Sequence, residues 1–566
     1  MLTVLISWGY MFLLCMILGM GILKLMQKLL GRDAHPGKKA YGVTDMVMAG
    51  ILGVTVYTEY VSLFGKIGMA AQLGMLALGL CSMWLTRQEL AALLRKMGKE
   101  MISWEGLFYL GFLLFLAFFT SRGEFHTDTN IYHAQAIRMY EEYGVLKGSG
   151  NLQLHYGYNS AGLAFSAFFS LNWLLGAPLH TTTGFLEAVL GIYAFHGLKD
   201  FRIHTKHKAD MMRVGILFYI LIILVRSMSP ATDYSTMLLT FYVLTAWCVE
   251  LEGAKAEENY ALLSVYAVLL ITYKFSACFL VLLAVYPAVC LIRKRKWRQI
   301  GILILSGVLV LAPFLIRNYL ISGWLLYPFG GIDLFHPVWK VPREYLQVDT
   351  DQIRVWGRCL FDIKKTDAPL SEWFPVWWSD KERYEQMFLG GVGIGAVLLL
   401  VQFVRRRLRR EKWDLAYAAL LLAVAANLLT WFFMAPFIRY GLAFLLAVPL
   451  LAVGVWLEES RKGFYSILSG CLLFGIVITL SAYWQPYITY AGVFVKQNFR
   501  QPYYLTQQEY DRGEVGSLEI NGNTIYYNSG TEEINSYYYF PNTCYGWMLE
   551  RSTLIGDRIE DGFRAK

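Results

Sequence analysis

The stretch "LFYLGFLLFLAFFTSRGEFHTDTNIYHAQAIRMYEEYG", residues 107–144, decides how the chain is read. Its first half is an unbroken apolar run. Its second half gathers Glu124, His126, Asp128, His133, Gln135, Arg138, Glu141 and Glu142. In lipid such a run satisfies its backbone groups only as a helix, and charges at its exit must face water or a ligand. The same alternation of apolar run and charged connector recurs from end to end. The 566 residues are 56% hydrophobic and 16% charged, with mean hydropathy +0.42, whereas soluble domains carry about 25% charged residues. The runs are continuous rather than alternating, which excludes a transmembrane barrel. The sequence therefore predicts an all-α polytopic membrane protein of about 14 spans, each matched to about 30 Å of hydrocarbon.

Basic residues orient the spans. They gather in connectors Lys24–Lys39, Arg87–Lys99, Lys199–Arg213, Arg293–Arg298, Arg405–Lys412 and Arg461–Lys462, which the positive-inside rule places in the cytoplasm. Residues 122–160, 229–233, 317–388, 433–440 and those after 484 are then external, as are both termini, in a multi-pass protein of the cytoplasmic membrane. The net charge of +9 is largely this orientation signal and requires no nucleic-acid partner. Leu2–Leu23 has no basic residue before it and no small-residue cleavage site, so it reads as an anchor and not a signal peptide. Residues 158–176 conflict with the alternation and read as an interfacial or partly inserted helix, with 180–198 as the true span. "ITYKFSA", with Lys274, reads as a tight outer turn between two short spans. Cys359 and Cys544, both external, either pair or stay free; the cysteine spacing resembles no metal site.

The external corners carry the chemistry. Asp128, Tyr132 and Gln135 fall on roughly one helical face, and a partly desolvated carboxylate there suits a general base or a substrate anchor; a solvated loop gives the same composition. Asp233 opens a span, where capping alone accounts for an Asp. Lys274 between apolar stretches must reach water, a headgroup or an anion. Arg317 in "APFLIRNYL" and Arg439-Tyr440 in "APFIRYGLAF" mark two further membrane exits; the guanidinium fork matches phosphate. Aromatic clusters "SEWFPVWWSDKERY" (371–384) and "NSYYYFPNTCYGW" (535–547) suit either sugar stacking or a membrane-interface belt.

Taken together, "FHTDTNIYH", "APLHTTTGFLEAVLGIYAFHGL", "ITYKFSA" and "APFIRYGLAFLLAVPLL", in that order and on one membrane face, resemble the GT-C superfamily of polytopic glycosyltransferases, which includes the protein mannosyltransferases and the lipid A aminoarabinose transferase. On this resemblance residues 1–100 are a three-span amino-terminal extension, 101–483 a GT-C-like core with external loops 122–160 and 317–388, and 484–566 a small external tail domain. The chain departs from many members in having Asp128-Thr129 where they have an Asp-Glu pair, which makes Glu124 the alternative acid.

What the resemblance implies is sugar transfer from a polyprenyl-phosphate-linked donor to an envelope glycan or lipid acceptor, with inversion. Asp128 would take the acceptor's proton. Lys274 with Arg317 or Arg439 would hold the phosphate, and Glu124, His133, Gln135, Asp233 and Tyr440 would complete the substrate site. Some members use a divalent metal; no ligand set for one is readable here, and no other cofactor is implied. A lipid-linked sugar flippase is a competing reading, although it calls for charges at mid-membrane. A polysaccharide polymerase or ligase is another.

Overall fold

The computed structural model describes residues 1–30, 41–199, 201, 206–253, 256–411, 414–459, 484 and 505–566. The expected basic connector at Arg461–Lys462 and the last expected span lie outside the described residues.

The chain is mostly helical. Helices α1 (Leu2–Leu29) and α2 (Val43–Ser62) cross at backbone contact. A Cβ at Gly19 would fall 1.7 Å from the Met46 carbonyl oxygen, and one at Gly50 would fall 1.9 Å from that of Cys15. Small residues at a crossing are how membrane helices approach closely. Helix α3 (Met69–Leu85) turns by 88° into the amphipathic α4 (Arg87–Met101), and α5 (Trp104–Ser121) follows. The loop after α5 holds α6 (Ala134–Glu142) and α7 (Ala161–Ser170). Then come α8 (Thr182–Leu198), α9 (His207–Ile223), α10 (Thr232–Leu251) and α11 (Glu257–Tyr273). A 3-10 stretch Phe275–Ala284 runs into α12 (Val285–Arg293), and α13 (Trp297–Ser322) leads to a second long connection with α14 (Arg343–Gly357) and α15 (Leu370–Asp380). Helices α16 (Arg383–Leu408), α17 (Leu415–Met434) and α18 (Ile438–Glu459) complete the helical part.

Among the described residues, eight helices are long and apolar enough to cross a membrane, nine if α3 and α4 make one bent span. The expectation of about 14 was larger partly because it included α8, α9 and α11, each 17 residues. At 1.5 Å per residue such a helix reaches only about 25 Å. The eight differ in enclosure. In α10 and α18, 78% and 83% of the apolar window is buried, against 17% in α13 and 11% in α16. Helices α10 and α18, which carry Asp233 and Arg439, are therefore central, and α13 and α16 peripheral.

Helix α7 has ten residues, all buried, and is too short to span, as expected of a segment read as interfacial or partly inserted. One expectation needs correction. The all-α expectation fails in the tail, where β1 (Val515–Ile520) and β2 (Asn523–Asn528) form an antiparallel hairpin. Its turn residues Asn521 and Gly522 have φ of 50° and 75°, the left-handed pair that Asn-Gly supplies at low cost. Strand β3 (Asn542–Thr543) adds parallel to β2, and β4 (Ser552–Leu554) pairs with β5 (Phe563–Ala565).

The tail is seated on the loop after α5. Ile525, Leu549, Leu554 and Phe563 share one buried cluster with Met139, Leu146, Leu152 and Tyr156. Polar seams flank it: Cys544 N–H donates to Gln153 Oε1 at 2.6 Å, Asn535 N–H to Asn130 O at 2.9 Å, and Phe563 N–H to Lys147 O at 2.9 Å. Cys359 and Cys544 are free thiols, and Cys359 faces Asp380 at 3.0 Å.

Candidate functional site

After α5 the loop is pinned to the 224–231 corner. Glu124 N–H donates to Val225 O at 2.8 Å, His126 N–H to Ser229 Oγ at 3.2 Å, and the Thr129 and Ser229 hydroxyls meet at 2.6 Å. The next turn, Thr129–His133, is a π-turn closed by Ala134 N–H to Thr129 O. One extra residue in a helical turn rotates everything beyond it. Tyr132 therefore stays beside Asp128, whereas Gln135 turns away and bonds the tail at the Asn535 carbonyl.

Four elements converge on Asp128. Asp233, at the start of α10, does not cap that helix. Its Oδ1 instead accepts from Lys274 Nζ, and its Oδ2 lies 3.4 Å from Arg439 Nε. Arg439, at the start of α18, donates through Nη2 to Asp128 Oδ2 at 3.0 Å and to the Tyr440 hydroxyl at 3.3 Å. Lys274, freed from helical geometry by its extended backbone between α11 and the 3-10 stretch, lies 3.8 Å over the Tyr440 ring. Contact with Asp233 and Tyr440 replaces the headgroup snorkelling that sequence left open.

The site is highly charged and incompletely bonded. Arg439 Nη1 is 2.5 Å from His126 Nε2, while the Asp128 backbone N–H donates to His126 Nδ1 at 3.0 Å. A neutral imidazole accepts at only one nitrogen, so this resting arrangement leaves a donor poorly served. Arg439 Nε, Asp233 Oδ2 and His133 Nε2 are buried without a hydrogen bond. Burial alone would raise the Asp128 carboxyl, but Arg439 and the nearby imidazoles and Lys274 outweigh it and hold the group down to about 2. Burial pushes His126 down to about 4 and His133 to about 3, so both are neutral near pH 7. His126, Asp128 and Asp233 present ligand atoms within 4.8 Å of one another, the donor set of a hard divalent cation. Such an ion would have to displace Arg439 from both carboxylates. Sequence spacing gave no sign of this set because its members lie in different elements.

Beside this cluster opens a cavity of about 250 Å³. His126, Arg226, Arg439 and Glu385 are among its polar lining residues, and Phe218, Ile222, Phe388 and Leu442 among its apolar ones. Arg226, bonded to the Tyr234 hydroxyl, escaped sequence reasoning although it sits seven positions before Asp233.

Of the expected site residues, Asp128, Asp233, Lys274, Arg439 and Tyr440 come together, with His133 behind Asp128. Three do not join them. Glu124 is exposed. Gln135 belongs to the tail seam. Arg317 is buried within α13, where Nη1 donates to Gly144 O at 2.7 Å and Ser62 Oγ at 3.1 Å and the guanidinium lies 3.6 Å over Tyr140. Tyr140 in turn donates to buried Glu59 at 2.8 Å, so Arg317 ties α13 to α2 and the loop end.

No curated protein and no solved structure matches the chain. Residues 1–446 match the family described as a domain of unknown function, DUF8201. The match runs unbroken through the first hundred residues, whose helices pack in the same hydrophobic core as α10 and α18. With most of its length inside that match, the chain belongs to the DUF8201 family.

Proposed function

We propose that the protein is a GT-C-like membrane glycosyltransferase that moves a sugar from a polyprenyl-phosphate-linked donor to an acceptor at the outer face of the cytoplasmic membrane, in envelope polysaccharide or glycolipid assembly. One observation carries the reading: two carboxylates, Asp128 and Asp233, face Arg439 and Lys274, and Arg439 also lines, with His126 and Arg226, a neighbouring cavity whose other walls are largely apolar. The arginines on the lining suit a phosphate, the apolar side chains beside them suit an isoprenoid, and the acid bonded to Arg439 suits an acceptor hydroxyl. Peripheral α16 forms part of the wall, which offers the lipid a lateral route.

In the reaction the acceptor O–H loses its proton to Asp128 as its oxygen bonds the anomeric carbon. The bond from that carbon to the phosphate oxygen breaks, and the phosphate leaves with the electron pair. Lys274 and Arg439 stabilise the charge that develops there, usually the largest catalytic contribution. An acid held near 2 is a weak base. A donor phosphate that engages Arg439 and Lys274 removes the cations that hold Asp128 down, and burial then raises its proton affinity. The base is thus switched on by the donor it serves.

The test is transfer from polyprenyl-phosphate-linked sugars in nanodiscs, together with mass spectrometry of envelope glycans from a deletion strain. A missing sugar restored by the wild type but not by Asp128→Asn is the expected result. Unchanged glycans in the deletion strain, or full transfer by Asp128→Asn, would remove the assignment.

A further inference from the structure

The aromatic side chains of the tail continue those of the loop. Tyr132, next to Asp128, stacks on His155 with ring centroids 5.1 Å apart and planes at 19°. His155 lies 6.1 Å from Tyr545 of the tail, and Tyr545 lies 6.0 Å from Trp547. Trp547 is 47% exposed, and the Arg551 guanidinium sits 4.9 Å over it and 5.4 Å over Tyr345 of α14. Rings therefore succeed one another at 5–6 Å from the carboxylate cluster to open solvent, on segments far apart in sequence.

Polar groups line the same path. Asp349 of α14 accepts from the hydroxyls of Tyr158 and Tyr327, the latter at 3.3 Å. His155 Nδ1 is a buried nitrogen without a hydrogen-bond partner. Half-buried Tyr545 and His155 and exposed Trp547, with an imidazole nitrogen and the Arg551 guanidinium beside them, match a saccharide, whose rings offer C–H faces above and below and hydroxyls around the rim. Membrane anchoring fits poorly, because this tract lies on the tail and loop rather than at a span end. The other aromatic cluster does lie at span ends: Trp373 and Trp377 pack on Trp431 of α17, while Phe374 and Trp378 remain exposed.

We propose that this tract binds the acceptor as a saccharide chain, laid from Trp547 across Tyr545 and His155 so that its terminal hydroxyl reaches Asp128. The acceptor is then a glycan held through several sugar units, and the tail is the part of the protein that selects it. The proposal rests on the transferase reading and supplies its second substrate.

The test uses the full chain in nanodiscs and, as probe, the water-soluble glycan fraction released from the envelope of the deletion strain, which carries the unfilled acceptor. Quenching of tryptophan fluorescence by this fraction should saturate. Trp547→Ala and Arg551→Ala should each weaken the interaction about tenfold, the scale of losing a stacking anchor, with Trp547→Phe restoring most of it. Because Trp547 is itself a reporter, displacement of a fluorescently labelled aliquot of the same fraction gives the second readout. Asp128→Asn should bind like the wild type while losing transfer, so failure of the tract and failure of the transferase reading are read separately. Wild-type protein that ignores the fraction, or variants that bind it unchanged, overturns the proposal. So does binding that survives periodate oxidation of the fraction but not protease treatment, since the occupant is then a peptide.

Discussion

Arg317 and Arg439 are equivalent in sequence: each follows an Ala-Pro-Phe-containing apolar run at a membrane exit. In the fold they differ in what surrounds them. Arg317 is held by one carbonyl, one hydroxyl and one aromatic face, all within hydrogen-bonding or stacking distance. Arg439 is shared among Asp128, Asp233, His126 and Tyr440, with its Nε left without a hydrogen bond. A guanidinium whose partners are complete fixes structure. One divided among competing partners is ready to be drawn to another anion. The difference separates a structural tie from a binding group, and no local feature of either motif announces it.

The strongest way to break this comparison is at Asp128. Asp128→Asn should reduce transfer by about 10²–10⁴-fold, the range of a lost general base, with the thermal midpoint in detergent nearly unchanged. A large fall in midpoint instead would make the Asp128–Arg439 pair structural like the other. Arg317→Ala should do the opposite. Removing the guanidinium leaves the Gly144 carbonyl and the Ser62 hydroxyl without their donor and Glu59 with Tyr140 as its hydrogen-bond partner, at a cost of about 1–3 kcal/mol, seen as a lower melting midpoint, whereas activity per folded molecule persists. Adding Glu59→Gln should recover much of the stability. Lys274→Ala should weaken binding of a polyprenyl phosphate about tenfold, as expected for one charge-assisted bond, and leave glycan binding alone; equal loss of both ligands would show a collapsed site.

The smallest effect is one of pH. His180 is buried between Phe125 and Tyr510, and burial lowers it to about 3 from an ordinary 6.5. The unfolded chain then takes up a proton near pH 6.5 that the folded chain refuses until about 3. Stability falls as pH drops through this window, by at most about 1.4 kcal/mol per pH unit for one group. His180→Phe should flatten the slope in a melt series from pH 7 to 5; an unchanged slope would assign it to His126 and His133.

Much of the architecture was legible in the sequence because it depends on runs of one solvent preference. Apolar continuity points to the helical membrane class, and the basic connectors put Asp128, Asp233, Lys274 and Arg439 on one side of the spans, consistent with their meeting in the fold. What was lost depends on register or on long-range contact. The π-turn at Thr129–His133 shifts Gln135 off the Asp128 face, and an ideal helical wheel has no means of showing one inserted residue. The ligand-like group of His126, Asp128 and Asp233 brings together two elements. The hairpin does carry a local signature, "LEINGNTIYY", which alternates around Asn-Gly, a strong hairpin signal in a chain whose composition is otherwise dominated by apolar helical runs.

The seating of the tail on the loop bears on how the protein is made. Gln135 stands two residues beyond the π-turn and is held by a carbonyl 400 residues later in the chain. During synthesis the loop with Asp128 is made well before that partner is translated. Until residues near 563 are made and dock, the loop lacks the tail half of the buried cluster it shares with them. The loop that carries Asp128 thus reaches its final packing only after residues 535–563 have been added.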